Sequence, residues 1–494
     1  MTYSFKYRIL EILPGVSLWL TFILAFFLSF YKPLWLVYFI ILFDLYWLLR
    51  ITYFVTYLFI SFKKHKEALT IDWFKKVKAI KDWENYYHLI IFPVYKEGRE
   101  VFNTTFGALL KSTYPLDKFI IVISGEERGN PKEFEENALF IQKKYGHLFK
   151  KFIITIHPDN LPGELKGKGA NGTWAAKKGV LEIDQLGIAH DRVMVSNFDF
   201  DTCIHPQYFS YLTYQYLTQT DPTRCSYQPL AFYNNNMWDA PAFARVVANS
   251  TTFWLMAELA RPERLFTFSS HSMSLKALIE VGYWETNIVT EDSRIFLQCF
   301  DHYNGDYRVV PMYIPVYMDT VLGENIWGTI KNQYKQMRRW AYSAEHFPWM
   351  VSHFSKNKKI PWKKKFKYLF NQTEGQYSWG TAPILILIAG RLPFLVGAYQ
   401  KETAAIFQNT PVILETLMSL AMIGVFISAI FNILFLPPKP PQYGWHRYPA
   451  MLLQWFLLPI TMIAFGSWPC IDAQTRLMLG KYLGFDVTQK HRLS

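Results

Sequence analysis

Long apolar runs stand at both ends of the chain. Residues 14–30 and 34–60 consist almost entirely of aliphatic and aromatic side chains, and further apolar runs cover residues 383–399, 411–436 and 448–468. A helix that spans a bilayer needs about 20 apolar residues. The pattern therefore predicts two transmembrane helices before a central region, and two or three after it.

Short apolar segments alternate with helix-like segments in the central region. Residues 88–95, 119–124, 152–156 and 193–198 are the short apolar runs, and residues 103–111 between the first two have a helical pattern. Such alternation is typical of an α/β fold with a mostly parallel sheet. Ligands bind at the carboxyl ends of the strands in such sheets. The residues that follow each run are therefore the candidates for a functional site.

The runs divide the chain into four parts. We expect two transmembrane helices in residues 1–62, a central domain in residues 63–375, a C-terminal transmembrane region in residues 376–468, and an interfacial helix with a tail in residues 469–494. Lysines cluster on both flanks of the central domain, and an excess of basic residues marks cytoplasmic segments. The sequence thus predicts a multi-pass protein of the cell (inner) membrane with a cytoplasmic central domain.

The side of the C-terminal tail depends on how many of the last three apolar runs span the membrane. If all three do, the tail lies outside the cell. A cytoplasmic tail requires an interfacial or re-entrant run. The two candidates are residues 383–399, which Arg391 and Pro393 interrupt, and residues 448–468, which contain Pro459 in their interior. Residues 473–483 carry charges on one side and apolar side chains on the other, as interfacial helices do. We therefore favour a cytoplasmic tail.

The composition agrees with this division. Hydrophobic residues make up 51% of the 494 residues and charged residues 18%, which is below the roughly 25% of typical soluble proteins. The formal net charge of +13 is explained by membrane topology and anionic lipids, and the sequence contains no motif typical of nucleic-acid binding. The four cysteines lack paired spacing. We expect membrane lipids as partners, no nucleic acid, and neither disulfides nor a zinc site.

Two acidic pairs are the first candidates for chemistry. Asp199 and Asp201 follow the fourth short run, and carboxylates at a strand end suit a divalent cation that also keeps phosphate oxygens as ligands. This spacing alone is also common in turns. The second pair, Glu291 and Asp292, favours the functional interpretation, although Thr290 could simply cap a helix that begins there.

A third candidate is a helical segment that contains Gln336, Arg339 and Trp340. These side chains fall within about one helical turn, so an amide, a guanidinium and an indole can converge on one ligand. A basic helix that approaches a membrane is the alternative interpretation.

In this order the three elements resemble the membrane-embedded family 2 glycosyltransferases, the group that includes cellulose, chitin and hyaluronan synthases. The resemblance extends from about His88 to Trp340. The tail adds a segment similar to the Phe-x-Val-Thr-x-Lys gating loop of cellulose-synthase-like enzymes, formed by Phe485, Val487, Thr488 and Lys490.

The resemblance implies an A-type glycosyltransferase domain with a Rossmann-like sheet, inserted between the N- and C-terminal transmembrane helices. The implied ligands are a nucleotide-sugar donor, Mg²⁺ or Mn²⁺, and a glycan or lipid-linked acceptor. The residues implied for donor binding are Pro93, Tyr95, Glu97, Glu126, Lys168, Asn171, Asp199 and Asp201, of which the last two would also hold the metal. The implied catalytic residues are Asp292, as the general base, and Glu291. The residues implied for acceptor and diphosphate binding are Gln336, Arg339 and Trp340.

Two positions depart from the family pattern. The strand that usually ends in Asp-Asp-Gly here reads Ser124-Gly125-Glu126, so Glu126 would replace the base-contacting aspartate and the nucleotide stays open. Met337 replaces the usual Gln or Arg of the Gln-x-x-Arg-Trp motif, which leaves acceptor binding and processivity open.

Three functions remain possible from the sequence. The first is an inverting glycosyltransferase, hexosyl- or N-acetylhexosaminyl-transferring, that extends a polysaccharide or glycan, with coupled translocation as an extension of this activity. The second is an enzyme that transfers a single sugar to a polyprenyl phosphate or another lipid. The third is a non-enzymatic membrane transporter or scaffold. The sequence leaves the donor sugar, the acceptor, accessory subunits and the oligomeric state open.

Overall fold

The computed structural model describes residues 5–387, 389–400 and 405–484. The helices are α1 (Phe5–Tyr31), α2 (Pro33–Thr70), α3 (Trp73–Lys78), α4 (Arg99–Leu109), α5 (Pro131–Tyr145), α6 (Lys168–Gln185), α7 (Tyr208–Thr218), α8 (Ala242–Leu259), α9 (Leu275–Glu280), α10 (Glu291–His302), α11 (Ile326–Ala341), α12 (His346–Lys356), α13 (Trp362–Leu387), α14 (Leu392–Gln400), α15 (Ala405–Leu434), α16 (Arg447–Leu453), α17 (Leu458–Thr461) and α18 (Trp468–Met478). The strands are β1 (Tyr87–Pro93), β2 (Phe119–Glu126), β3 (Lys151–His157), β4 (Val193–Asn197), β5 (Cys203–Ile204), β6 (Cys225–Tyr233), β7 (Ser272–Ser274) and β8 (Arg308–Met318).

The strands form one twisted sheet in the order β3-β2-β1-β4-β7-β6-β8-β5. The first four strands are parallel, β6 and β8 are also parallel, and β7 and β5 run antiparallel to their neighbours. The predicted α/β class with a mostly parallel sheet is therefore confirmed. All four short apolar runs of the sequence are strands, and the predicted helix at residues 103–111 is α4, which begins four residues earlier.

The central strands are continuous apolar runs because helices cover both of their faces. Residues Leu89, Ile90 and Ile91 of β1 are fully buried. Helix α6 packs directly on this strand, and Gly179 makes that approach possible, since a Cβ atom there would lie 2.7 Å from Leu89 Cδ1. The core thus fixes α6, and with it the start of this helix, against the carboxyl ends of β1 and β2.

Within the described residues, five helical segments are long and apolar enough to span a membrane. They are Phe5–Tyr31, Pro33–Thr70, Trp362–Val396, Gln408–Leu434 and Arg447–Met478. Each overlaps one of the apolar runs of the sequence. The expected domain boundaries after residues 62 and 375 fall inside α2 and α13, so both helices continue from the apolar region into the central region without a break.

The last of these segments is irregular. Between α16 and α18 it contains a 3-10 turn at Gln454–Leu457 and a π-helical turn at Met462–Ser467. Helix α18 ends at Met478 because Gly480 adopts a left-handed conformation with φ +70°, and Lys481 N donates to Arg476 O at 2.8 Å. The helix expected over residues 473–483 therefore stops five residues early.

Both ends of the last segment contact the central region. Arg245 Nε in α8 donates to Gln454 Oε1 at 2.7 Å, and Arg338 Nη1 in α11 donates to Asp472 Oδ2 at 3.0 Å. Helix α18 also packs against α1, where Arg8 Nη1 donates to Leu477 O at 2.8 Å. The segment is thus fastened to the central region at two separated points.

Candidate active site

The carboxyl ends of β1, β2 and β4 meet at one edge of the sheet because these strands are parallel neighbours. A cavity of about 1170 Å³ opens at this edge. The sequence-predicted site residues that line it are Pro93, Tyr95, Glu97, Glu126, Lys168, Asp199, Asp201, Glu291, Asp292, Gln336, Arg339 and Trp340. Stretches of the chain more than 240 residues apart thus contribute to one cleft.

Lys168 connects the two acidic pairs. Its ammonium nitrogen lies 2.8 Å from Asp199 Oδ1 and 3.1 Å from Asp292 Oδ1, and it also donates to Ser269 Oγ at 3.3 Å. Burial disfavours the charged ammonium, but the carboxylates of Asp199, Asp292 and Glu291 outweigh this effect and raise the pKa of Lys168. The site therefore contains a buried cation held between carboxylates from different elements.

The glycines around Lys168 have a structural explanation. Gly169 follows Lys168 in the first turn of α6, and a Cβ atom there would lie 2.9 Å from Glu285 O and 3.0 Å from Glu291 Cγ. The absence of a side chain lets the start of α10 approach the start of α6. This glycine permits the convergence of Lys168 with the second acidic pair.

Each aspartate of the first pair is held by neighbouring groups. Ser269 Oγ donates to Asp199 Oδ2 at 2.8 Å, and Asp319 N donates to Asp201 Oδ2 at 2.9 Å. These contacts come from the loop before β7 and the residue after β8. The two carboxylates are therefore oriented by parts of the sheet that lie far from them in sequence.

The turn after β1 is organised by Glu97. The backbone N–H groups of Tyr95 and Lys96 donate to Glu97 Oε2 at 2.7 and 3.1 Å. Burial raises the pKa of Glu97, with the nearby Asp201 charge acting in the same direction. This carboxyl fixes the loop that carries Tyr95 into the cleft.

The end of β2 carries an ion pair. Arg128 Nε donates to Glu126, and the Arg128 guanidinium carbon lies 4.7 Å from the centre of the Tyr95 ring. Glu126 is the last residue of β2 and is almost completely buried. The carboxylate that departs from the usual Asp-Asp-Gly pattern therefore has a cation beside it.

Asn171 is the described site residue that does not line the cleft. Its side chain is completely buried, and Nδ2 donates to the carbonyl of Ser124 at 2.9 Å. Asn171 therefore ties α6 to the end of β2.

The second acidic pair stands at the start of α10. Glu291 is 2% exposed, whereas the Asp292 side chain is 23% exposed and faces the cleft. Burial raises the pKa of Glu291 to about 8, the Asp292 charge adds to this, and Lys168 and Arg339 oppose it. The two neighbouring carboxyls thus have different surroundings, one dry and one open to the cavity.

Thr290 occupies the N-cap position of α10, but its side chain caps no backbone N–H of the helix. Its hydroxyl donates instead to the carboxylate of Glu345. The sequence alternative of a simple helix cap therefore does not describe this threonine.

Helix α11 forms another part of the wall, where Gln336, Arg339 and Trp340 line the cavity. Arg339 lies close enough to Glu291 to favour its charged form. The ring centres of Trp340 and Tyr233 are 6.0 Å apart. The wall thus combines a cation near the carboxylates with aromatic surfaces beside them.

The donor set fits a hard divalent cation with few protein ligands. Within the described ranges no cluster of three or more His, Cys, Asp or Glu side chains could hold a metal. Asp199 and Asp201 supply two carboxylates at the strand end, and Mg²⁺ is commonly bound by one or two carboxylates plus substrate phosphates and water. The residues present therefore suit a metal that arrives with a phosphorylated ligand.

Several cavity residues were not predicted from the sequence. Tyr233, Ser269 and Asp319 line the cleft, and burial together with the nearby Asp199 and Asp201 charges raises the pKa of the Tyr233 hydroxyl. Tyr233 is the last residue of β6, Ser269 precedes β7 and Asp319 follows β8, three segments that the sequence pattern did not predict as strands. Recognising β6 and β8 as strands would have found Tyr233 and Asp319 through the strand-end rule, which does not reach Ser269 because this residue lies before its strand.

The predicted gating-loop residues Phe485, Val487, Thr488 and Lys490 lie outside the described residues. The chain just before them is described, and Leu483 packs in one apolar cluster with Val289 and Tyr342. The last described residues therefore lie next to the loop that precedes α10.

One protein family matches the chain. A model described as "Glycosyl transferase family group 2" matches residues 195–467, more than half of the chain. The search among curated proteins finds no match.

The solved structures that are similar to the chain include the following two. The mannosyltransferase PcManGT from Pyrobaculum calidifontis, in complex with GDP-Man and Mn²⁺, is 14% identical with a TM-score of 0.42, and the match covers 82% of this chain and 99% of that one. S. aureus TarS 1-349 in complex with UDP-GlcNAc is 12% identical with a TM-score of 0.38, and the match covers 81% and 94% of the two chains.

Proposed function

The chain belongs to glycosyl transferase family group 2, and from this premise we propose an inverting membrane enzyme that transfers a sugar from a nucleotide-sugar to a growing polysaccharide or glycan. The prediction of a family 2 glycosyltransferase is confirmed at the level of the family. The proposal also includes finer assignments. These are the A-type fold, the cellulose-synthase-like subtype, the hexosyl or N-acetylhexosaminyl donor and the coupled translocation.

One observation carries the proposal. Lys168 contacts both Asp199 and Asp292 in a cleft that Arg339 and Trp340 also line. A donor diphosphate needs cations and a metal site, and an acceptor hydroxyl needs a carboxylate base within hydrogen-bond reach. The cleft provides these groups together.

Asp292 is the proposed general base because its side chain is 23% exposed at the cavity, whereas Glu291 beside it is 2% exposed. A sugar hydroxyl is a poor nucleophile, so Asp292 would take its proton as the oxygen attacks the anomeric carbon. Direct displacement at that carbon inverts its configuration. Glu291, mostly protonated below about pH 8, would act by supporting the position of Asp292.

The proposed donor site lies at the ends of β1, β2 and β4, with Pro93, Tyr95, Glu97 and Glu126 near the nucleotide. Asn171 is proposed to act from beneath this site, through its bond to Ser124. Asp199 and Asp201 would hold Mg²⁺ or Mn²⁺, which would neutralise charge on the diphosphate. Arg339 and Lys168 would supply positive charge beside it.

The proposed acceptor site is next to α11. Gln336 and the Trp340 ring line the cavity, and an indole face suits the apolar face of a sugar ring. The same cavity continues to residues of the candidate spans, including Trp47 of α2, Trp379 of α13 and Trp455. This continuity supports a path along which an elongating glycan could leave the site.

The proposed membrane topology has four spans and a cytoplasmic catalytic domain. A spanning helix places its ends on opposite sides of a hydrocarbon core of about 30 Å. The segment Arg447–Met478 instead contacts α8 near one end and α11 near the other, and both helices lie between the N- and C-terminal candidate spans in sequence. We propose that this segment lies at the cytoplasmic surface, so that the tail is also cytoplasmic.

A lipid-linked acceptor is the second candidate. The observation in its favour is the apolar part of the cavity wall, which includes Ile51 and Phe54 of α2 together with Met462 and Phe465. A single-sugar transfer to a polyprenyl phosphate or another lipid would use the same catalytic cleft. It differs from the first proposal in the product, which would carry one sugar on a lipid.

The activity can be tested with the purified full chain in lipid nanodiscs, a panel of labelled nucleotide sugars and Mn²⁺ or Mg²⁺. We expect label transfer by the parent and its near-complete loss in Asp292→Asn, with nucleoside diphosphate binding retained. Asp184→Asn, an exposed position on α6, is the matched control. Parent-like transfer by Asp292→Asn would refute the base assignment, and the length of the product separates a polymer from a single sugar on lipid.

A further inference from the structure

The first turn of α10, which carries Glu291 and Asp292, is bonded to the segment that follows α11. A 3-10 turn at Tyr342–Glu345 continues α11 into α12. The Thr290 hydroxyl donates a hydrogen bond to the Glu345 carboxylate, and Arg294 Nη2 donates one to the Glu345 carbonyl at 3.3 Å. The acidic turn and the end of the acceptor helix are therefore joined by side chains on both flanks of Glu291 and Asp292.

His346 adds a second connection. Burial and the nearby Arg294 guanidinium hold the pKa of His346 well below its usual range, so the imidazole is neutral. Its Nδ1 accepts from Arg294 Nε at 3.2 Å, which leaves the proton on Nε2 to donate to Ser293 Oγ at 2.7 Å. Both ring nitrogens of a completely buried histidine are thus used between α10 and α12.

The guanidinium of Arg294 completes the arrangement. It is 3% exposed, Nη1 donates to Glu285 Oε2 at 2.8 Å, and its central carbon lies 5.0 Å from the centre of the Trp349 ring. Arg294 therefore has four partners, namely His346, Glu285, the Glu345 carbonyl and the Trp349 ring. Such a group resists displacement of the turn on which it stands.

We propose that Thr290, Ser293, Arg294, Glu345 and His346 form a clasp that positions the catalytic turn relative to helix α11. The inference rests on the proposed function, because it assigns these residues to the geometry between the base and the acceptor. Trp340 precedes Glu345 by five residues, and Asp292 lies between Thr290 and Ser293 in sequence. A misplacement of about 1 Å in a reacting pair can cost 100-fold in rate, so a link at this point controls turnover.

Thr290 gives the clearest indication of this role. A threonine at an N-cap normally stabilises its own helix by accepting a backbone N–H bond. Here the side chain makes no such bond and contacts Glu345 instead. The threonine thus serves the connection between two elements.

The test compares Thr290→Val, which removes the hydroxyl at nearly constant shape, with Thr290→Ser, which keeps it. We expect Thr290→Val to lower kcat about tenfold with the Kd of the nucleoside diphosphate changed less than twofold, and Thr290→Ser to restore turnover. Glu345→Ala should give a similar loss, and the double variant should lose little more, because both changes break one bond. Thr218→Val, on the exposed face of α7, is the matched control.

Parent-like kcat in Thr290→Val, or a fully additive double variant, would overturn the clasp while leaving the proposed function intact. Amide hydrogen exchange gives a readout independent of catalysis. We expect faster exchange over residues 291–296 in Glu345→Ala than in the parent, and unchanged exchange would overturn the clasp. Absence of sugar transfer by the parent would refute the proposed function instead, and the exchange result would still decide whether the link holds the turn.

Discussion

The ammonium of Lys168 lies 3.1 Å from the carboxylate of Asp292. The two residues stand at the starts of α6 and α10, and this contact joins the strand-end half of the cleft to the half that carries the proposed base. Because the same ammonium is 2.8 Å from Asp199, one side chain balances charge from both acidic pairs. The contact explains how several carboxylates can share a partly dry cavity before any substrate binds.

Replacement of Lys168 by Met should therefore damage both halves of the site. Without the cation, the carboxylates oppose the ionisation of one another, so the acidic limb of the pH–rate profile should move to higher pH. We expect kcat/KM to fall at least 100-fold, and Lys168→Arg to recover part of it. Lys177→Met, exposed on the same helix, should behave like the parent. An unchanged acidic limb in Lys168→Met would contradict the shared-charge interpretation.

Asp201→Asn should weaken metal-dependent donor binding. The amide oxygen can still accept from the backbone N–H of Asp319, so the fold around the residue should persist, while the negative charge that attracts a cation is lost. We expect about a tenfold higher Kd for a nucleoside diphosphate in Mn²⁺, measured by calorimetry, and a smaller response to EDTA than in the parent. Equal affinities with Mn²⁺ would remove Asp201 from the metal site.

The sequence alone located most of this cleft because strand ends in parallel sheets share an edge, which brings Asp199, Glu126 and Pro93 together by a general rule. The sequence could not show which way each side chain points. Asn171 was expected to approach the nucleotide, yet its side chain turns to Ser124 in the core. Helix periodicity places a residue on a helix, but the packing of that helix decides which of its faces is buried.

The sequence did not show that Tyr233, Ser269 and Asp319 line the cleft, and the reason is a different one. Their strands are short or irregular, and the register of β6 with β8 shifts at Pro229, so no simple alternation marks them. The link between Thr290 and Glu345 likewise depends on the packing of α10 against α12, which local patterns do not encode.

The raised pKa of Glu291, about 8, predicts a pH-dependent stability. The folded state keeps this carboxyl protonated between its ordinary pKa of about 4.5 and about 8, whereas the unfolded chain ionises, so its burial destabilises the fold increasingly as pH rises through this window. Glu291→Gln removes the ionisation and should raise Tm at pH 8 relative to the parent. At pH 4.5 to 5 the difference should nearly vanish. Thermal scans in one detergent at both pH values provide the measurement, and a constant difference at the two pH values would show that Glu291 is not the titrating group.

The segment Arg447–Met478 provides the test of topology, because hydropathy alone marks it as a span, whereas its contacts with Arg245 and Arg338 fasten it to the central region at both ends. Tyr443→Cys and Lys481→Cys flank the segment. If the segment lies at the cytoplasmic surface, a membrane-impermeant thiol reagent should label neither cysteine in intact cells and both after the membrane is opened. Lys32→Cys, an exposed position between α1 and α2, should be labelled in intact cells and serves as the control for the opposite side. Labelling of Lys481→Cys but not Tyr443→Cys in intact cells would mean that the segment crosses the bilayer, and the tail could then have no part in gating a cytoplasmic site.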